Sequence, residues 1–191
     1  LDISRDLRWG RTVEGPGEDP WLAVQIARAK VRGFQGADLA SAESVAATAK
    51  HFCAYGPVTG GRDYASVDIS ERTLREVHLP GFVAAVRAGV ATLMPSFTDL
   101  NGVPMTAHIP LLRDWLRGEM GFDGVIVSDY NAIAELIKHG VAADLVDAAS
   151  LVDVPAEDEI GLRASDKRAN GAAPYVLAAS QAVAGRPMGR R

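Results

Sequence analysis

The sequence is poor in several things, and each scarcity removes a class of function. One residue of 191 is cysteine, Cys53, which excludes an internal disulfide and a cysteine-built zinc cluster. No block of basic residues occurs and the formal net charge is −4, so nothing points to nucleic acid. The longest apolar runs fall far short of the ~20 residues a membrane-spanning helix needs. No GxGxxG or GxxxxGKS/T motif follows a predicted strand, so a nucleotide-phosphate cradle has no support. Neither HxH nor HExxH spacing is present, which leaves His108, His139 and Asp129 a poor metal set. The expectation is therefore no cofactor, no metal, no nucleic-acid partner and no membrane partner. What remains is 48% hydrophobic and 23% charged, an ordinary composition for one domain with a sizeable core.

Patterning along the chain predicts a repeated strand–loop–helix unit. Leu1–Ser4 reads as a strand end, followed by a polar loop rich in Gly, Pro and charge. Trp21 to about Phe34 reads as a helix with Gly33 near its end. Ser44–Phe52 reads as a second strand. Ser70 caps a helix that Pro80 should kink or split. Val90–Pro95 and Gly124–Ser128 are further strands, each followed by a helix, over Ile109–Glu119 and Asn131–His139; Asp144–Ser150 starts another. Alternating strands and helices predict α/β architecture with a parallel sheet. Reactive side chains gather where strands end: Ser4-Arg5-Asp6, Lys50-His51, Met94 to Phe97, and Ser128-Asp129. That one-sidedness favours a (β/α) barrel over an open sheet. A full barrel takes ~250 residues, so four readable strands make a partial TIM-like barrel.

Asp129 stands where an apolar run, Val125-Ile126-Val127, gives way to a helical pattern. A carboxylate there can attack an anomeric carbon, ligate a metal, or cap the helix, and spacing does not choose among these. Lys50 and His51 are neighbours on a strand and address one site only if the chain bends there. They suit sugar hydroxyls or an anionic substrate; Lys50 alone would also serve a Schiff base. Arg11 and Arg62 lie in the loops after the first two strands and offer forked donors. Trp9, Phe97 and Tyr130, in loops on the same face, either stack on a sugar ring or pack in the core.

Taken together, the segments "LDISRDLRWGRTVEGPGEDP", "AATAKHFCAYG", "GGRDY", "ISERTLREVHLPGFVAAVRAG", "LNGVPMTAHIPLLRDWLRGEMGFDGVIVSDY" and "AELIKHGVAAD" resemble glycoside hydrolase family 3, in particular its bacterial periplasmic β-glucosidase type. The resemblance covers residues 1–150. It implies an N-terminal TIM-like barrel and a retaining, exo-acting hydrolase of terminal β-D-glucosyl residues. By the same resemblance Asp129 is the nucleophile, and Lys50, His51, Arg11 and Arg62 bind the sugar. Met94 and Phe97 line the pocket, with Phe97 where many members carry Tyr, and Tyr130 is the aromatic after the nucleophile. A small β-glucoside or oligosaccharide is the implied partner, and a periplasmic or secreted parent protein the implied setting.

Departures from the family pattern shape the remaining expectations. The family's first strand, with its sugar-binding Asp, would precede Leu1, and its general acid/base would lie beyond residue 191. Residues 151–191 match nothing in the pattern and read as an irregular or disordered tail on a partial barrel domain of residues 1–150. The chain thus reads as an internal fragment with an unrelated or frame-shifted end. The alternatives kept open are a non-catalytic sugar-binding remnant and a β-xylosidase.

Overall fold

The computed structural model describes residues 1–152. Three strands, β1 (Thr48–Phe52), β2 (Thr92–Pro95) and β5 (Val125–Ile126), form one parallel sheet in sequence order. The register pairs Thr48 with Thr92 and Ala49 with Leu93, then Thr92 with Val125 and Leu93 with Ile126. Side chains alternate across the pleat. Ala49 and Leu93 are buried on one face; on the other, Thr48 and Thr92 join through their hydroxyls and Lys50 sits opposite Met94. Between β2 and β5 a small antiparallel hairpin, β3 (Asp99–Leu100) with β4 (Val103–Pro104), turns at Asn101-Gly102, both at positive φ. Asn-Gly suits a two-residue hairpin turn.

Helix α1 (Pro20–Gln35) begins at Asp19, whose carboxylate accepts from the Trp21 N–H at 2.8 Å, with Pro20 in the first turn. Ala23, Ala27 and Val31, four residues apart, are its buried stripe. It ends at Gln35, one residue past the expected end near Phe34, with Gly36 as its cap. The strand expected from Ser44 starts only at Thr48, because residues before it serve the helix end. The Ser44 hydroxyl donates to the Gln35 carbonyl, and the Gln35 side chain accepts from the Ala47 and Ala91 N–H groups. One glutamine thus aligns the starts of β1 and β2.

The element capped by Ser70 is split, as Pro80 predicts. Helix α2 (Glu71–Thr73) runs into a π-helical turn, Leu74–His78, before helix α3 (Pro80–Arg87). A π-helix, Pro110–Glu119, precedes β5, and helices α4 (Ala132–Lys138) and α5 (Leu145–Leu151) follow it. Phe52 at the end of β1 joins the layers: its ring meets Phe82 of α3 edge-on at 5.2 Å and stacks on Trp115 at 6.0 Å. Five side chains, Ile133, Leu136, Ala142, Ala148 and Val152, form a separate cluster around α4 and α5. The described residues end at Val152, within this cluster. The rest of the expected irregular tail lies outside the described residues.

Leu1–Ser4 is not a strand. It is nevertheless held firmly, since Asp2, Ile3 and Ser4 are buried and Ser4 N–H donates to the Gly17 carbonyl. The loop after β1 passes so close that a Cβ on Gly56 would lie 2.0 Å from the Ile3 carbonyl oxygen. Only glycine permits that approach, and it brings Asp2 beside His51.

Candidate active site

His51 is the hub. Its ring is 3% exposed, and Asp2 Oδ2 accepts both from Nδ1 at 2.9 Å and from the His51 backbone N–H at 3.2 Å. Arg11 Nη2 lies 3.0 Å from Nε2. A guanidinium can only donate, so Nε2 accepts and the imidazole proton sits on Nδ1. Arg11 is gripped from its other side by Glu14, with Nε and Nη2 donating to the two carboxylate oxygens at 2.8 and 2.9 Å. Those bonds keep the Glu14 carboxyl below its usual range and push Arg11 further up. For Asp2, burial acts to raise the carboxyl, while the hydrogen bonds donated by the His51 ring and backbone N–H act to lower it.

Asp129 follows β5 and comes to the same ring. Its Oδ2 is 3.8 Å from His51 Nε2, is buried, and accepts no hydrogen bond among the described residues. Oδ1 accepts from the adjacent Tyr130 N–H at 2.7 Å. The capping alternative is thereby answered. Asn131 occupies the N-cap position of α4, and the Asp129 carboxylate bonds its immediate neighbour rather than the second or third N–H of the helix. A buried carboxylate oxygen with no donor is costly. Its exposure to a ring that now offers it no proton marks it as available to something else.

The other predicted residues fall at different distances from this centre. Lys50, exposed, shares its sheet face with half-buried Met94, and its charge helps lower the Glu14 carboxyl. Adjacent Lys50 and His51 differ in burial, one exposed and one buried, at a register shift in the β1–β2 pairing, so the regular alternation of a strand does not hold between them. Phe97 is buried, stacked on Tyr64 at 4.2 Å and edge-on to Tyr55 at 5.1 Å. Tyr130 and Arg62 are exposed. Trp9 is no sugar platform: at 2% exposure it packs on Tyr55 at 5.0 Å and donates Nε1–H to Asp63 at 3.1 Å. From Ser4-Arg5-Asp6, Asp6 is taken up by a forked pair with Arg8. His108 Nδ1 accepts the Leu111 N–H at the start of the π-helix.

Sequence reasoning missed Asp2, Tyr55, Asp63 and Tyr64. Asp2 was hidden because the first four residues carry no periodicity. The signal for the others was the aromatic and acidic content of "AYG" and "GGRDY", read only for its arginine.

Comparison with known proteins gives the family. The family model "Glycosyl hydrolase family 3 N terminal domain" matches residues 1–152. The chain is 44% identical over 164 residues to a periplasmic beta-glucosidase of Salmonella typhimurium, covering 83% of this chain and 21% of that protein. It is 45% identical over 156 residues to a beta-xylosidase of Formosa agariphila, covering 79% and 22%. A crystal structure of beta-glucosidase from Listeria innocua in complex with glucose superposes with a TM-score of 0.76 at 45% identity, over 79% of this chain and 21% of that one. The chain thus spans about a fifth of the length of these relatives. Its parallel βα units are part of a TIM-like barrel, and the chain belongs to glycosyl hydrolase family 3.

Proposed function

We propose that this chain carries the nucleophile side of a retaining, exo-acting β-glycosidase, with β-glucosides as substrate. The observation that carries the reading is the free, buried Asp129 Oδ2 facing His51. In the first step that oxygen attacks the anomeric carbon, the glycosidic C–O bond breaks, and the leaving oxygen keeps the electron pair. Water then attacks the same carbon, gives up one proton to solvent, releases Asp129 as carboxylate and returns the original configuration. Ionised Asp2 keeps His51 in one tautomer; His51, Arg11, Lys50 and Arg62 orient the non-reducing sugar, and Met94, Phe97 and Tyr130 line its surroundings. The acid that protonates a poor leaving group is assigned to no residue here. Such help is worth ~10²–10⁴-fold, so this chain favours activated aryl glycosides over disaccharides.

Support for glucose comes from the Salmonella and Listeria relatives, and the former also supports a periplasmic setting. Among the described residues no helix is long and apolar enough to cross a membrane. A specific observation keeps β-xylosides as the second reading: the Formosa beta-xylosidase is as similar as the beta-glucosidases. Both readings are tested by treating the full chain with dinitrophenyl 2-deoxy-2-fluoro glycosides of glucose and xylose. Mass spectrometry should find one sugar on the peptide containing Asp129 and none in Asp129→Asn. The faster-labelling sugar identifies the substrate class. Label on another residue, with Asp129 unmodified, would reject the nucleophile.

A further inference from the structure

We propose that Asp63 is a positioning residue that sets Arg11 and His51 in place through the buried rings of Tyr55 and Trp9. The proposal rests on the reading of Asp129 as nucleophile, because its consequence is the geometry around that carboxylate.

Asp63 lies in the exposed loop after β1, yet its Oδ1 accepts from two aromatic donors at once. These are Trp9 Nε1–H at 3.1 Å and the Tyr55 hydroxyl. Trp9 and Tyr55 come from different loops, one after the N-terminal segment and one after β1, and neither is more than 2% exposed. Their rings meet at 5.0 Å and 67°. A single carboxylate oxygen therefore clamps two loops that carry the site. With the Tyr55 hydroxyl committed to Asp63, the ring cannot turn away from what it supports. On it lie the Arg11 guanidinium carbon, 5.4 Å from the ring centroid, and the His51 imidazole, edge-on at 5.4 Å and 86°. A cation over an aromatic face and an edge-on imidazole are both oriented by the ring's charge distribution. The path from Asp63 to the nucleophile is thus Tyr55, then Arg11 and His51, then Asp129 Oδ2.

Backbone conformation points the same way. Gly60 and Gly61 have φ of 66° and 65°, and Tyr64, with a full side chain, has φ of 65°. A bulky residue in that region is strained and persists only when its surroundings over-determine it. Stacking of Tyr64 on Phe97 at 4.2 Å supplies the hold. The strain lies one residue from Asp63, where the loop must double back to deliver the carboxylate.

The test uses the full chain with ¹⁵N-labelled histidine, the His51 signals being assigned by their loss in His51→Gln. In the wild type, one protonated and one bare ring nitrogen should give widely separated ¹⁵N shifts. Asp63→Ala should collapse that separation and slow labelling of Asp129 by the 2-fluoro glycoside about 100-fold, the scale of a 1 Å misplacement. Asp63→Asn, which keeps an acceptor oxygen, should stay within about tenfold of wild type. A purely structural Asp63 would lower the melting temperature of Asp63→Ala and leave the His51 shifts unmoved, and that result overturns the proposal. If Asp63→Ala does not fold, Tyr55→Phe keeps the ring and removes its tether; unchanged His51 shifts there overturn the proposal equally. The two readings fail separately. An unlabelled wild type whose His51 shifts still respond to Asp63→Ala breaks the glycosidase reading alone. Normal labelling with unresponsive shifts breaks only the role of Asp63.

Discussion

The two acidic and basic halves of the site stand on unequal foundations. His51 is the fourth residue of β1, a five-residue strand paired at four positions with β2 and ending in Phe52, whose ring joins α3 and the π-helix. Asp129 follows β5, two half-buried residues paired at two positions, and leads into α4 and the five-membered cluster around Leu136. One half rests on the main core and the other straddles a small satellite. Local opening follows the density of buried contacts. The difference teaches that the hydrogen-bonded scaffold, Asp2–His51–Arg11–Glu14, is placed by the firm half, while the carboxylate with a free oxygen is carried on the lighter one.

The comparison breaks or sharpens under four changes. The largest effect is expected for Phe52→Ala, about 3–5 kcal/mol of global stability by denaturant unfolding, with faster amide exchange throughout. Leu136→Ala, at the low end of about 2–5 kcal/mol, should accelerate exchange mainly in α4 and α5 and spare β1. Equal exchange patterns in the two variants would abolish the distinction between the halves.

Next comes acid. His78, in the π-turn of the firm half, is 2% exposed, and neither ring nitrogen has a hydrogen-bond partner among the described residues. Burial, helped by the Arg5 charge, pushes its pKa down to about 4. The unfolded chain therefore binds a proton that the folded chain refuses between the ordinary value of 6.5 and about 4. Stability contributed by neutral His78 is complete above pH 6.5 and is lost as pH falls through that window, by about 3 kcal/mol in all. Melts at successive pH values should show this loss in the wild type and not in His78→Leu. The smallest effect belongs to the lighter half. Asp144 caps α5 by accepting from the Val146 and Asp147 N–H groups, both at 2.9 Å. Asp144→Ala should cost about 1 kcal/mol, read as faster exchange confined to α5.

Much of the fold was legible because it follows from local chemistry. The spacing of apolar residues after Trp21 marked α1, Pro80 split its helix, and apolar runs marked β1, β2 and β5 near their true positions. Boundaries slipped where a side chain reached across the chain, as with Ser44 and Gln35 at the start of β1. The opening segment was misread as a strand because its burial comes from distant partners. Among site residues, Asp129, His51 and Arg11 were named from the sequence and meet in space. Trp9, open between stacking on a sugar and packing in the core, packs in the core.

The sequence by itself determined the α/β class, the order of the parallel strands and the identity of a carboxylate at the end of the last one. These depend on periodicity, turn chemistry and a run of motifs along the chain. Only the tertiary structure decided that Asp2 holds the His51 proton on Nδ1, that Arg11 occupies Nε2, and that Asp63 clamps the rings beneath them. The Asp2–His51, Arg11–His51 and Trp9–Asp63 contacts join residues 40 to 54 positions apart. Hydrogen-bond partners over such separations are set by packing, which no local pattern records.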